Sequence, residues 1–122
     1  MSGRDDGRPR FDLQSHSTHS DGALSPGEVV ARARESGVEL LALTDHDTVS
    51  GVEEALTAGQ IHGVGVVAAA ELTAIHDRHE DLHILGYGID HRSPELLDAL
   101  AAYRRDREAR SDRMRAALEE LG

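Results

Sequence analysis

Three short stretches of this sequence gather side chains that bind metal ions. They are His16, His19 and Asp21, then Asp45, His46 and Asp47, then Glu71, with His83 a further imidazole downstream. Imidazole mixed with carboxylate suits Zn, Mn or Fe, whereas carboxylates alone would suit Mg or Ca. The chain has no cysteine, which removes thiolate zinc sites, disulfides and a Cys nucleophile together. A His and carboxylate cluster of this kind can hold two or three cations, activate a water and clamp the non-bridging oxygens of a phosphoryl group. Ser15, Ser17 and Ser20 then need no nucleophilic role.

Such residues act together only if the fold brings them together, and the pattern around them says how. Residues 11–15 read as a short strand. Residues 22–26 make a turn with Ser25 as N-cap and Pro26 at the first helical position, and the helix runs to about Ser36, before Gly37. Residues 38–44 are a nearly continuous apolar run of strand length, as expected of a parallel strand covered on both faces, and Asp45 marks its end. Thr48 or Ser50 caps a short helix that ends around Gly59. Residues 64–70 form another apolar run, closed by Glu71. A charged loop holding Asp77, Arg78, His79, Glu80 and Asp81 leads to a fourth strand, residues 82–87, which carries His83. From the cap Ser93 and Pro94, one long helical segment reaches Leu121.

This alternation predicts an α/β domain with a mostly parallel sheet. In such sheets, sites gather at the carboxyl ends of the strands, and there His16, Asp21, Asp45, His46 and Glu71 all fall. Glu71 follows Ala68, Ala69 and Ala70, and a carboxylate buried there without a partner is costly, which favours a cation beside it. The other histidines, His62, His76, His79 and His91, read as surface loop residues, and Asp47 and Thr48 as residues that shape their own loop by local hydrogen bonds. The arginines between Arg104 and Arg115 read as a solvated face laced with Asp106, Glu108 and Asp112. A substrate-phosphate role for one of them is the lesser reading, and no residue is singled out for substrate binding.

Composition narrows the function classes. The 122 residues suit one ordinary domain or a piece of a larger one, with 39% apolar residues but only Phe11, Tyr87 and Tyr103 aromatic. A base-stacking nucleic-acid platform is therefore disfavoured. The net charge of −10 argues in the same direction, because non-specific binding to polyphosphate needs Lys and Arg. Bound cations invert the local field, so an acidic chain can still handle a small phosphorylated substrate. The first ten residues are charged and polar, no long apolar run follows them, and no stretch approaches the length of a membrane span, so the expected location is cytoplasmic with no membrane partner.

The stretch DLQSHSTHSDG (residues 12–22), followed by LALTDHDT (residues 41–48), AAELTA (residues 69–74) and HILGYGID (residues 83–90), resembles the PHP family, named for polymerase and histidinol phosphatase. It looks most like the stand-alone metal-dependent phosphoesterases of that family. The resemblance implies the N-terminal part of a distorted (β/α)7 TIM-like barrel and hydrolysis of a phosphomonoester, nucleotides being the favoured substrates, by a metal-activated water. It also implies His16, Asp21, His46, Glu71 and His83 as metal ligands for two or three divalent ions (Mn, Zn or Fe), with Asp45 and His46 catalytic. In the family's first motif a His-x-His pair opens the site, and here Gln14 stands in the first position as a weaker ligand. The family's later ligands, a further His and a closing Asp-x-His, have no counterpart after His91.

A whole barrel takes about 200 to 250 residues, so the expectation is an N-terminal portion. Residues 1–10 would be a disordered leader, 11–92 a partial PHP domain, and 93–122 a long helix beginning an inserted helical segment. The alternative is a truncated, non-catalytic metal-binding or interaction remnant that self-associates through its incomplete barrel and exposed sheet edge.

Overall fold

The computed structural model describes residues 10–76 and 80–121, without the side chains of residues 74–81. Its elements are β1 (Phe11–Asp12), α1 (Pro26–Glu35), β2 (Leu40–Leu43), α2 (Val52–His62), β3 (Gly65–His76), β4 (Glu80–Tyr87) and α3 (Pro94–Leu121). Residues 1–9 of the expected leader, and His79 with its neighbours Asp77 and Arg78, lie outside the described residues, whereas the Arg10 carbonyl accepts from the Glu39 amide at 2.8 Å. Among the described residues no helix is long and apolar enough to cross a membrane.

The four strands form one sheet in the order β1-β2-β3-β4, parallel across the first two pairings and antiparallel across the last. β3 changes partner along its length: residues 65–68 pair with β2, and residues 69–76 pair with β4. The sheet curls. Four flat strands would hold their outer members about 14 Å apart, yet the Tyr87 hydroxyl at the end of β4 donates to the Leu13 carbonyl just past β1 at 2.7 Å.

Local sequence explains the helices. Ser25 caps α1 as expected: its side chain accepts from the Glu28 amide while the Glu28 side chain accepts from the Ser25 amide, a complete capping box followed by Pro26. Val30 and Ala33 of α1, Leu41 and Leu43 of β2, and Ala55 and Ala58 of α2 close over one another as the main core. A second cluster, Val49, Val52, Ala70 and Leu100, fastens α3 to α2 and β3. Ser93 caps α3 as expected, its Oγ accepting from the Leu96 amide at 3.4 Å.

Several expectations need correction. The first strand is only two residues long, although the chain stays beside β2 as far as Ser15, whose carbonyl accepts from the Thr44 amide at 2.7 Å and whose hydroxyl donates to the Ala42 carbonyl at 2.8 Å. α2 is capped by neither Thr48 nor Ser50: their hydroxyls bond each other at 2.9 Å, and Gly51 occupies the cap with no side-chain bond. α2 also passes Gly59 and ends at Gly63, whose φ of 72° supplies the left-handed stop. Gly59 is there for space, since a Cβ would lie 2.6 Å from the Val64 carbonyl oxygen. Glu71 does not close its strand but sits within β3, where the backbone passes from β2 to β4. β4 begins at Glu80, so Glu80 and Asp81 belong to it and not to the expected charged loop.

His91 is not a surface residue in the sense expected. It lies in the turn after β4, with Nε2 2.9 Å from Glu53 Oε1. That contact and then Arg92 hold the Glu53 carboxyl below the usual carboxylate range. His62 is exposed at the end of α2, and His76 lies at the end of β3, not in a loop.

Candidate metal centre

Glu71 is where the strands deliver their chemistry. A parallel bridge pairs it with His46: the Glu71 amide donates to the Asp45 carbonyl at 3.0 Å, and the Asp47 amide donates to the Glu71 carbonyl at 2.9 Å. That bridge carries the β2 line three residues past Leu43 and sets His46 beside Glu71. On the other side, Glu71 faces Leu85 and Thr73 faces His83 in the antiparallel register, so Glu71 and His83 are diagonal neighbours on one face. The loop after β1 brings His16 from the third direction. Gly22 is required there, because a Cβ would lie 2.2 Å from the His16 carbonyl oxygen.

The side chain of Glu71 is 6% exposed and receives all three imidazoles. Its Oε1 lies 3.4 Å from His16 Nε2, and its Oε2 lies 3.4 Å from His46 Nδ1 and 3.0 Å from His83 Nδ1. Asp21, 65% exposed, spans the open side, with Oδ1 3.2 Å from His16 Nδ1 and Oδ2 3.2 Å from His46 Nε2. The His16 and His46 rings stack at 4.6 Å, and His83 meets His46 edge-on at 5.8 Å. Gln14 Nε2 donates to Glu71 Oε1 at 3.0 Å.

This donor set fits divalent cations. His16, His46 and Glu71 offer ligand atoms that all lie within 4.8 Å of one another. Both nitrogens of His16 and both of His46 face carboxylate oxygens, whereas a neutral imidazole has one N–H and one lone pair. A cation held among these atoms would take the lone pairs that a neutral ring otherwise turns toward an oxygen. His16 Nδ1 is buried, lies 3.2 Å from Asp21 Oδ1 and has no hydrogen-bond partner among the described residues.

Thus the fold brings together Gln14, His16, Asp21, His46, Glu71 and His83. It does not bring Asp45 or His19 to the same point. Asp45 is buried, with Oδ1 accepting from the Ser17 amide at 2.6 Å and the Ser20 hydroxyl at 2.7 Å, and Oδ2 accepting from the Ser17 hydroxyl at 2.6 Å. It ties the loop after β1 to the end of β2. His19 lines the cleft above the cluster and packs on Gly51, whose added Cβ would sit 3.0 Å from its ring.

The cleft, about 550 Å³, has the cluster on one wall and α3 on the other. α3 therefore departs from the expected solvated arginine face. Arg107 bonds the Asp47 carboxylate at 2.7 Å and Arg104 bonds the Asp47 carbonyl at 2.7 Å. Asp47 itself is tied across the fold and not merely within its own loop, as Thr48 is to Ser50. Sequence reasoning missed both arginine contacts and the Ser17 and Ser20 contacts to Asp45. The available signal for the serines was their closeness to the first histidine motif, which also had to anchor its loop.

A PHP domain profile matches residues 12–114. The chain is 42% identical over 112 residues to a 3',5'-nucleoside bisphosphate phosphatase of Chromobacterium violaceum, covering 92% of this chain and 39% of that protein. It is 37% identical over 113 residues to a 5'-3' exoribonuclease of Haemophilus influenzae, covering 93% and 41%. A solved structure from Bifidobacterium adolescentis, assigned to the metal-dependent phosphoesterases, superposes with a TM-score of 0.80 at 29% identity, covering 92% of this chain and 39% of that one. The chain thus spans about two fifths of the length of these relatives.

Proposed function

The chain belongs to the PHP domain family, and on that premise we propose that it carries the metal-binding part of a phosphoesterase that hydrolyses a phosphomonoester, that of a nucleotide. The observation that carries this reading is the buried Glu71 carboxylate with His16, His46 and His83 all directed at it. We assign His16, Asp21, His46, Glu71 and His83 as metal ligands. Gln14 is a weak additional one, since rotation of its amide would present oxygen in place of nitrogen. Two or three divalent ions (Mn, Zn or Fe) suit this mixture. When bound, such ions lower the pKa of water and neutralise charge on phosphoryl oxygens.

The chain's own residues then have distinct tasks. Glu71, met by imidazoles from the loops after β1 and β2 and from β4, would hold a cation together with them. His46, backed by the bridge to Glu71, is fixed most firmly, whereas Asp21 at the open side can adjust as substrate enters. Asp45, with its oxygens engaged by Ser17 and Ser20, acts by holding the loop that carries His16 and not on substrate. Arg104 and Arg107 of α3 face the cleft with Glu108 beside them, and Arg107 is paired to Asp47, so the cations at the cluster would supply most of the attraction for an anionic ligand.

The Chromobacterium relative makes nucleoside 3',5'-bisphosphates the first substrates to try. The Haemophilus relative favours a second reading, removal of nucleotides from an RNA 5' end, against which the charge of −10 and the scarcity of aromatics weigh. The test is elemental analysis of gel-filtered protein combined with phosphate release from nucleotide mono- and bisphosphates and from a short 5'-phosphorylated RNA. Bound metal with turnover on nucleotides far below that of a longer chain is the expected result. Turnover on RNA alone would favour the second reading. Metal bound without turnover would favour a non-catalytic metal-binding chain, and absence of metal would overturn the assignment of the cluster.

A further inference from the structure

Asp47 follows the ligand His46 directly, and nothing in the family resemblance gives it a task. Its backbone is left-handed, with φ 53°, a conformation uncommon for a residue with a Cβ. Its side chain is fully buried. Each of its polar groups is engaged by a different neighbour. Its amide donates to the Glu71 carbonyl at 2.9 Å, and its Oδ1 accepts from the Thr73 amide at 2.8 Å. Its Oδ2 accepts from Arg107 Nη2, and its carbonyl accepts from Arg104 Nη1, each at 2.7 Å. The first pair belongs to β3 and the second to α3, where Arg104 and Arg107 lie one turn apart on the same face.

We propose that Arg107, with Arg104 beside it, is a positioning residue for the metal centre: by clamping Asp47, helix α3 fixes the 46–47 backbone and so the aim of His46 at Glu71 and Asp21. The inference rests on the reading of that cluster as metal-binding. A left-handed non-glycine residue persists only where its surroundings over-determine it, and a buried carboxylate stays buried only where a charge or several hydrogen bonds meet it. Thr73 meets one oxygen of Asp47 and Arg107 the other. Without Arg107 the carboxylate has a reason to turn toward the open cleft, and the peptide it shares with His46 must turn with it. Metal sites tolerate displacements of only about 0.5 Å in their ligands, so the loss is felt at His46 although Arg107 touches no ligand.

A role for Arg107 in holding substrate phosphate makes a different prediction, since it would leave metal affinity untouched. The experiment titrates Mn2+, and separately Zn2+, into the metal-stripped chain by calorimetry, for wild type, Arg107→Gln, Arg107→Lys, Arg104→Gln and Arg113→Gln, the last an exposed position on α3. Expected are an affinity at least tenfold weaker in Arg107→Gln, most of it regained in Arg107→Lys, a several-fold loss in Arg104→Gln and none in Arg113→Gln. Exchange of the Asp47 amide hydrogen, bonded to Glu71, should quicken in Arg107→Gln.

Wild-type metal affinity in a folded Arg107→Gln chain overturns the clamp and leaves the centre standing. Absence of metal binding in wild type overturns the centre and the clamp with it. Should Arg107→Gln fail to fold, Arg104→Gln decides, because it removes only a bond to a carbonyl oxygen. Wild-type affinity there overturns the proposal.

Discussion

At the scale of single residues, Glu71 carries contradictory demands. Its carboxylate is buried among imidazoles whose lone pairs do not all welcome it, so it suits a cation better than it suits the empty fold. Glu71→Gln keeps the shape and removes the charge. Metal affinity measured by calorimetry should fall by more than about 100-fold, since even groups that only support a ligand are worth 10–100-fold. The metal-free variant should melt no lower than wild type, because a charge in a costly place has been removed. His83→Ala should cost less than Glu71→Gln, since His83 is half exposed and, among the described residues, meets one carboxylate. An equal loss in the two variants would mean that Glu71 is not the hub. Glu71 and the histidines were legible in the sequence, because ligand chemistry is confined to a few residue types and these stand where apolar runs stop. The pairing of Asp47 with Arg107 was not: sixty positions separate them. A helix carrying charges all round does not reveal which of them turn inward.

At the scale of elements, α1 was readable to within a residue at both ends, because its caps are local chemistry. Ser25→Ala should destabilise the chain by about 1 kcal/mol in denaturant titration. Ser25 also holds the Glu28 carboxyl below its usual value, through its hydroxyl and then its amide. A depressed carboxyl stabilises the fold above its unfolded pKa, and that contribution is lost as pH falls through the folded value. The gap between wild type and Ser25→Ala should therefore narrow as pH is lowered from about 6 to below about 4. A gap constant with pH would place the whole effect in the hydroxyl cap.

The second helix was misjudged because Gly59 answers to tertiary space. Gly59→Ala gains about 1 kcal/mol of helix propensity. The new Cβ, however, would meet the Val64 carbonyl oxygen at 2.6 Å and Val66 Cγ2 at 2.7 Å, and backbone there must shift. A net loss of about 1–3 kcal/mol is expected, and a rise in melting temperature would show that the α2–β3 contact yields easily. β3 was read as ending at Ala70 for a related reason. Its second half is held by pairing with β4, and there Glu71, Thr73 and His76 break up the apolar residues Leu72, Ala74 and Ile75, so the run no longer reads as continuous.

At the scale of the whole molecule, the cluster joins parts that the cores join only indirectly. His16 comes from the loop after β1, His46 from the end of β2, Glu71 from β3 and His83 from β4, so a cation held by all four ties the curled sheet across its open end. That curl could not be read from composition, since it depends on β3 passing from one partner to another at Glu71. A ligand that binds only the folded state at a hundredfold its Kd stabilises by about 2.7 kcal/mol. For a domain of this size that is on the order of 10 °C in melting temperature. The chain's charge of −10 complicates the measurement, because any cation relieves self-repulsion and raises stability without occupying a site. Screening and binding separate by concentration and by variant. Binding saturates at micromolar Mn2+ or Zn2+, is reversed by chelator, and vanishes in Glu71→Gln. Screening needs tens of millimolar salt, follows NaCl at equal ionic strength, and survives the substitution. The expected result is a saturating, chelator-reversible rise in wild type alone, and a rise of equal size in Glu71→Gln would mean that cations act on the acidic surface and not through the centre.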